Sequence, residues 1–141
     1  MDITKKYREE RKEVAQFMRR LYRQGLTTTS GGNISLKVSD EHIIITPSQT
    51  DKGRMKWKEV GIVSVDGENL TPALKPSIET GMHLEIYRRK GNGAIVHAHP
   101  VFATTFTAVR HKIDTTLTAE ACVILGDPVF VPYALMGSEN L

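Results

Sequence analysis

Ala94-Ile95-Val96-His97-Ala98-His99-Pro100 is an apolar run with two histidines set into it one residue apart and a proline closing it. In an extended chain, side chains at i and i+2 project to the same face, about 6.5–7 Å apart at their Cα atoms. A buried strand over 93–99 would therefore carry both imidazoles on one side. Pro100 cannot continue a ladder and suits the first position of a helix, here one running through Val109.

Upstream of this strand, Ile78, Met82 and Ile86 follow an i, i+4 stripe widened by Leu84 and Tyr87. They predict a helix from Ser77 to the basic end Arg88-Arg89-Lys90-Gly91, with Glu79 in its first turn. Further back, Ile34, Leu36 and Val38 alternate with Ser35 and Lys37, Ser39-Asp40-Glu41 turns, and His42 to Thr46 returns as a more buried strand. A third strand over 61–65 runs into Asp66-Gly67, a strong hairpin-turn pair. Near the start, Val14, Phe17, Met18, Leu21 and Tyr22 form a helical stripe, and Gly25 stands where a C-terminal cap belongs. Downstream, Val123–Leu125 and Val129–Val131 read as strands separated by Gly126-Asp127-Pro128. Together these segments predict one mixed α/β domain over 1–141, with several antiparallel strands and no repeat or linker.

A chain of 141 residues, 40% hydrophobic and 25% charged, has enough apolar residues for a core and too many charges for a membrane protein. No apolar stretch approaches the ~18 residues of a membrane span, and no apolar run follows the charged first residues, so a cytoplasmic protein is expected. The formal charge is +3, but the cations cluster over Lys5–Arg23 and are interleaved with Glu9, Glu10 and Glu13, the pattern of a solvated helix face. No nucleic-acid or membrane partner is expected; a basic chain also suits an anionic small molecule. Cys122 is the single cysteine, which excludes an internal disulfide. Its apolar neighbours predict a core residue rather than a reactive thiol.

Two imidazoles on one strand face can converge on a metal ion, with Zn–N distances near 2.0–2.1 Å. The alternative is one hydrogen-bonded core histidine beside an exposed one. Among the other histidines, His83 is expected to pack within its helix, and His42 and His111 have no compelling spacing to complete a ligand set. Glu79 is the carboxylate best placed to join the pair, as ligand or as general base. Ser30-Gly31-Gly32-Asn33 offers close backbone N–H groups and an amide to an anion, or else is a plain turn. Thr46-Pro47-Ser48-Gln49 and Lys75-Pro76-Ser77 repeat the theme of hydroxyls beside a proline, and Ser77 is expected to open a helix whose free N–H groups favour phosphate.

Ser-Gly-Gly-Asn-Ile-Ser (30–35), Ile-Thr-Pro-Ser (45–48), Lys-Pro-Ser-Ile-Glu (75–79) and Ile-Val-His-Ala-His-Pro (95–100), in this order and spacing, resemble the class II aldolase/adducin family, its fuculose-phosphate aldolases most of all. The resemblance implies a three-layer fold, a mainly antiparallel sheet flanked by helices, of which this chain is expected to be the N-terminal two-thirds. It also implies zinc-dependent cleavage of a sugar phosphate, L-fuculose 1-phosphate first, to dihydroxyacetone phosphate and an aldehyde. Family members alternatively act as pentulose-phosphate 4-epimerases, thioribulose-phosphate dehydratases or non-catalytic adducin-like modules. The resemblance makes His97 and His99 zinc ligands, one ion per subunit, and Glu79 the acid/base that also approaches the metal. It places Gly32, Asn33, Ser48, Gln49 and Ser77 on the substrate phosphate, and implies a homotetramer. Gln49 stands where relatives often carry Gly, and Ile78 where they often carry a second Ser. The family's third zinc-binding histidine lies in a later His-Gly segment, and Thr118 and Glu120 stand near where some members carry a proton-donating tyrosine.

Overall fold

The computed structural model describes residues 3–109 and 111–141. Its elements are α1 (Ile3–Lys6), α2 (Arg8–Arg23), β1 (Asn33–Lys37), β2 (His42–Ile45), β3 (Gly61–Ser64), α3 (Thr80–Lys90), β4 (Ala94–His97), α4 (Val101–Ala108) and α5 (Ala119–Leu125), with short 3₁₀ turns at Trp57–Glu59 and Thr115–Leu117. The four strands form one antiparallel sheet in the order β3-β2-β1-β4.

Three consecutive isoleucines show why the sheet has helices on both sides. Side chains alternate across a strand, so fully buried Ile44 joins Tyr7, Val14, Ala15 and Met18 under α2, together with Ile34 and Ile62. Ile43 and Ile45 turn the other way, against Leu84 and Tyr87 of α3. The result is the expected helix–sheet–helix layering. Arg11, buried within α2, bonds the carbonyls of Val60, Thr4 and Lys58, fastening the helix to the segment before β3. Gly25 adopts φ +68 just past α2, and Gly67 adopts φ +98 in the turn after β3; both roles follow from the sequence.

Several expectations are corrected. α3 begins at Thr80, not Ser77, because the Ser77 carbonyl accepts from Thr80 N and its hydroxyl from Glu79 N. This leaves Glu79 as the capping residue rather than inside the first turn. The inner face of α3 is His83, Leu84 and Tyr87, whereas Ile78 is 52% exposed; the i, i+4 stripe lies to one side of the packed face. In α2, Val14 and Met18 are buried but Phe17 and Tyr22 are exposed. β4 has β1 as its one neighbour in the sheet and is half-buried, with Val96 exposed. Residues 123–125 belong to α5, whose first turn is capped by the Thr118 hydroxyl accepting from Ala121 N, and 129–131 form no strand. Cys122, on exposed α5, is not a core residue. Among the described residues no helix is long and apolar enough to cross a membrane.

Candidate active site

β1 and β4 pair in the register Asn33↔His97, so the asparagine that ends the Gly-rich loop lies beside the first histidine. The loop itself is folded onto the histidine strand. A Cβ on Gly31 would come within 2.8 Å of His99 Nδ1, and one on Gly32 within 2.7 Å of the His97 carbonyl oxygen. Gly32 also has φ +68, so both close approach and backbone conformation require glycine there.

Three side chains meet at the end of β4. Glu79 Oε2 lies 2.8 Å from His97 Nδ1, and His97 Nε2 lies 3.2 Å from His99 Nε2. A carboxylate only accepts, so His97 donates from Nδ1 and keeps a lone pair on Nε2. That is the tautomer a metal-binding histidine needs, oriented in the way carboxylate partners orient such ligands. The 3.2 Å between the two Nε2 atoms is close to the edge of a tetrahedron with Zn–N bonds of that length, roughly 3.3 Å. The pair therefore fits a divalent metal, with a proton on His99 Nε2 as the alternative occupant. Glu79 faces the opposite nitrogen of His97, and among the described residues no three His, Cys, Asp or Glu side chains form a metal-holding group. The carboxylate expected as ligand or base thus stands in hydrogen-bond contact with His97.

Behind it runs a buried relay that the sequence did not reveal. Asn33 Nδ2 donates to Glu79 Oε2, which obliges Asn33 Oδ1 to accept from His83 Nε2. His83 Nδ1 must then accept, taking the Ser35 hydroxyl proton at 2.6 Å, and Ser35 Oγ accepts from Tyr87 at 2.8 Å. Every donor and acceptor in the series has one assignment. Burial is the main force pushing His83 down to about 4, with His97 adding to it and Glu79 opposing, and burial likewise pushes the Tyr87 phenol up. His83 was expected merely to pack; it packs and also holds Asn33. The clue available in the sequence was its position four residues after Glu79, one helical turn along.

The five residues expected to hold phosphate, Gly32, Asn33, Ser48, Gln49 and Ser77, all line one cavity of about 360 Å³, which Glu79 and His99 share. Its walls are tied together: Ser48 N donates to the Lys75 carbonyl, and Ser48 Oγ accepts from Ile78 N. Gln49 has φ 55 and is the one non-glycine residue at positive φ among those described, a backbone conformation that glycine adopts without strain. Two lysines also line the cavity: Lys75, which is exposed and belongs to the Lys75-Pro76-Ser77 stretch, and Lys52, which is buried and was missed by sequence reasoning. His42 lies elsewhere, bonded to Tyr7 and Ser39, and exposed His111 is not among the cavity's walls.

With this sheet and this cavity established, comparison with known proteins is direct. The Class II Aldolase and Adducin N-terminal domain matches residues 12–141, and the chain belongs to that family. It is 41% identical over 96 residues to the methylthioribulose-1-phosphate dehydratase of Granulibacter bethesdensis, covering 67% of this chain and 45% of that one. It is 35% identical over 122 residues to the L-fuculose phosphate aldolase of Methanococcus maripaludis, covering 86% and 66%. The crystal structure of L-fuculose-1-phosphate aldolase from Thermus thermophilus superposes with a TM-score of 0.76 at 29% identity, covering 90% and 65%. The chain thus spans about half to two-thirds of the length of these relatives.

Proposed function

We propose that this chain carries the metal and phosphate sites of a zinc-dependent sugar-phosphate lyase, a class II aldolase cleaving a ketose 1-phosphate to dihydroxyacetone phosphate and an aldehyde. L-fuculose 1-phosphate is the first candidate substrate. The observation that carries this reading is the facing of His97 Nε2 and His99 Nε2 at 3.2 Å, with Glu79 on the far nitrogen of His97.

His97 and His99 would be two donors to a zinc ion, one per subunit. Zinc held there would act as a Lewis acid on the substrate's carbonyl and hydroxyl oxygens, easing the negative charge that builds up as the carbon–carbon bond breaks. The chain's own residues do the rest. Glu79 Oε2 is committed to His97 and Asn33, so Oε1 is the atom free to exchange a proton with the fragment that becomes dihydroxyacetone phosphate. Gly32, Asn33, Ser48, Gln49 and Ser77 would hold the phosphate, anchoring the remote end of the substrate so that the reacting carbons stay beside Glu79. Asn33 would then serve both ends, holding Glu79 with its amide while its own segment lines the phosphate cavity.

The similarity to a methylthioribulose-1-phosphate dehydratase favours a second reading, loss of water from a ketose 1-phosphate at the same site. Both readings need a phosphate cavity next to a proton-carrying carboxylate. The deciding experiment incubates the zinc-loaded full-length protein with L-fuculose 1-phosphate, methylthioribulose 1-phosphate and ribulose 5-phosphate. Release of dihydroxyacetone phosphate from the first supports the aldolase; water loss from the second supports the dehydratase; turnover of none refutes the lyase. The assembly proposed is a cytoplasmic homotetramer, and light scattering that found a fully active monomer would refute it.

A further inference from the structure

Lys52 is 1% exposed. Its ammonium donates to the Pro47 carbonyl at 2.7 Å, and that is its one side-chain hydrogen bond among the described residues. No carboxylate pairs with it there. The neighbouring Asp51 is spent on Gly53 N at 2.9 Å and on Arg54 at 3.9 Å. An ammonium has three donors, so two are unspent among the described residues. A buried cation without a counter-ion is costly, and burial accordingly pushes Lys52 below the usual lysine range.

The loop that carries it is held on two sides. Lys52 N donates to the Thr29 carbonyl at 2.8 Å, next to the Gly-rich loop, and Ser48 N donates to Lys75 O at 3.0 Å. Pro47, which accepts from the ammonium, is itself a wall of the cavity, as are Lys52, Ser48 and Ser77. Lys52 thus lines the same cavity as the hydroxyls and the glycine loop, with its ammonium on the carbonyl of another wall residue, Pro47.

We propose that Lys52 is the counter-charge of this cavity, and that the ligand it is built for is a phosphate monoester dianion. The inference rests on the reading above, that the cavity takes the substrate's phosphate, and deepens it by naming the residue that supplies the charge. The hydroxyls and backbone N–H groups would select the shape of a tetrahedral anion; Lys52 would separate it from neutral sugars. Lys75 is exposed at the cavity wall and is screened by water, so it contributes less.

The test titrates full-length protein with inorganic phosphate, following heat of binding and thermal melting. Wild type is expected to bind and to melt higher with phosphate. Lys52→Met is expected to bind about tenfold to a hundredfold more weakly, the range for losing a charge-assisted hydrogen bond. Lys75→Met should lose no more than about threefold. In phosphate-free buffer Lys52→Met should melt no lower than wild type, because the uncompensated charge is gone and the Pro47 carbonyl keeps its bond from Thr50 Oγ1.

A Lys52→Met protein that binds phosphate as wild type does, or that melts lower in phosphate-free buffer, overturns the inference and leaves the cavity reading standing. Wild type that binds no phosphate overturns both. A larger loss in Lys75→Met than in Lys52→Met also overturns the role given to Lys52. Should Lys52→Met prove insoluble, Lys52→Gln carries the same expectations in the same titration.

Discussion

Single residues decide whether the site can form. Gly32 combines φ +68 with a Cβ position 2.7 Å from both the His97 carbonyl and Thr27 Oγ1. Gly32→Ala is therefore expected to cost about 1–3 kcal/mol and to weaken metal binding, measured by urea unfolding and metal titration on one preparation. Gln49 is the reverse case. Its φ of 55 stores strain that glycine relieves, and Gln49→Gly should raise stability by about 0.5–1 kcal/mol after glycine's own entropic cost; an unfolding midpoint at or below wild type would contradict it. Glu79 faces the nitrogen of His97 turned away from His99, so Glu79→Gln should keep its metal while losing about 10²–10⁴ in turnover. His97→Ala should lose both, and metal analysis beside the rate assay separates the two outcomes. His97, His99 and Glu79 were legible from spacing and residue chemistry. Lys52 was not, since a lysine in a polar loop looks solvated until the fold closes over it.

At the scale of elements, the sheet was legible because alternation is a local property, and β1, β2 and β3 lie where it placed them. Ile44 is fully buried under α2, and Ile44→Ala should cost about 2–5 kcal/mol in urea unfolding. α3 was legible as a helix but not in its facing. A buried polar residue, His83, occupies its inner side, and periodicity of apolar residues cannot locate a face that is held by hydrogen bonds. That histidine carries a pH signature. In the folded chain it is held down to about 4, while in the unfolded chain it titrates near the ordinary value of about 6.5. Between these values the unfolded state binds more protons, so stability rises with pH across the window. As the pH falls from about 6.5 towards 4, up to roughly 3 kcal/mol should be lost from this group. Urea midpoints measured from pH 7.5 to 4 check it: the decline should be shallower in His83→Gln, and an equal decline would assign it to other groups.

At the scale of the whole molecule, the two apolar faces of one sheet account for the three layers, and the Gly-rich loop and the segment 47–49 that line one cavity collect where β1 begins and β2 ends. The later segments divide differently. Residues 123–125 and 129–131 are apolar and mostly β-branched, which reads as strand in isolation, yet α5 is exposed and 129–131 make no ladder. A strand needs a partner edge, and short runs cannot announce one. Sequence by itself determined the mixed α/β, antiparallel character of the domain and the histidine pair on one strand, because periodicity and residue chemistry act over a few neighbours, while the layering and the residues Gly32, Asn33, Ser48, Gln49 and Ser77 that share one cavity followed from the family resemblance. Only the tertiary structure decided which nitrogen of His97 meets Glu79, that His83 and Asn33 hold that carboxylate, and that Lys52 is buried with no carboxylate paired to it among the described residues. Each of these depends on groups from different elements meeting within hydrogen-bond reach, a condition no stretch of chain imposes alone.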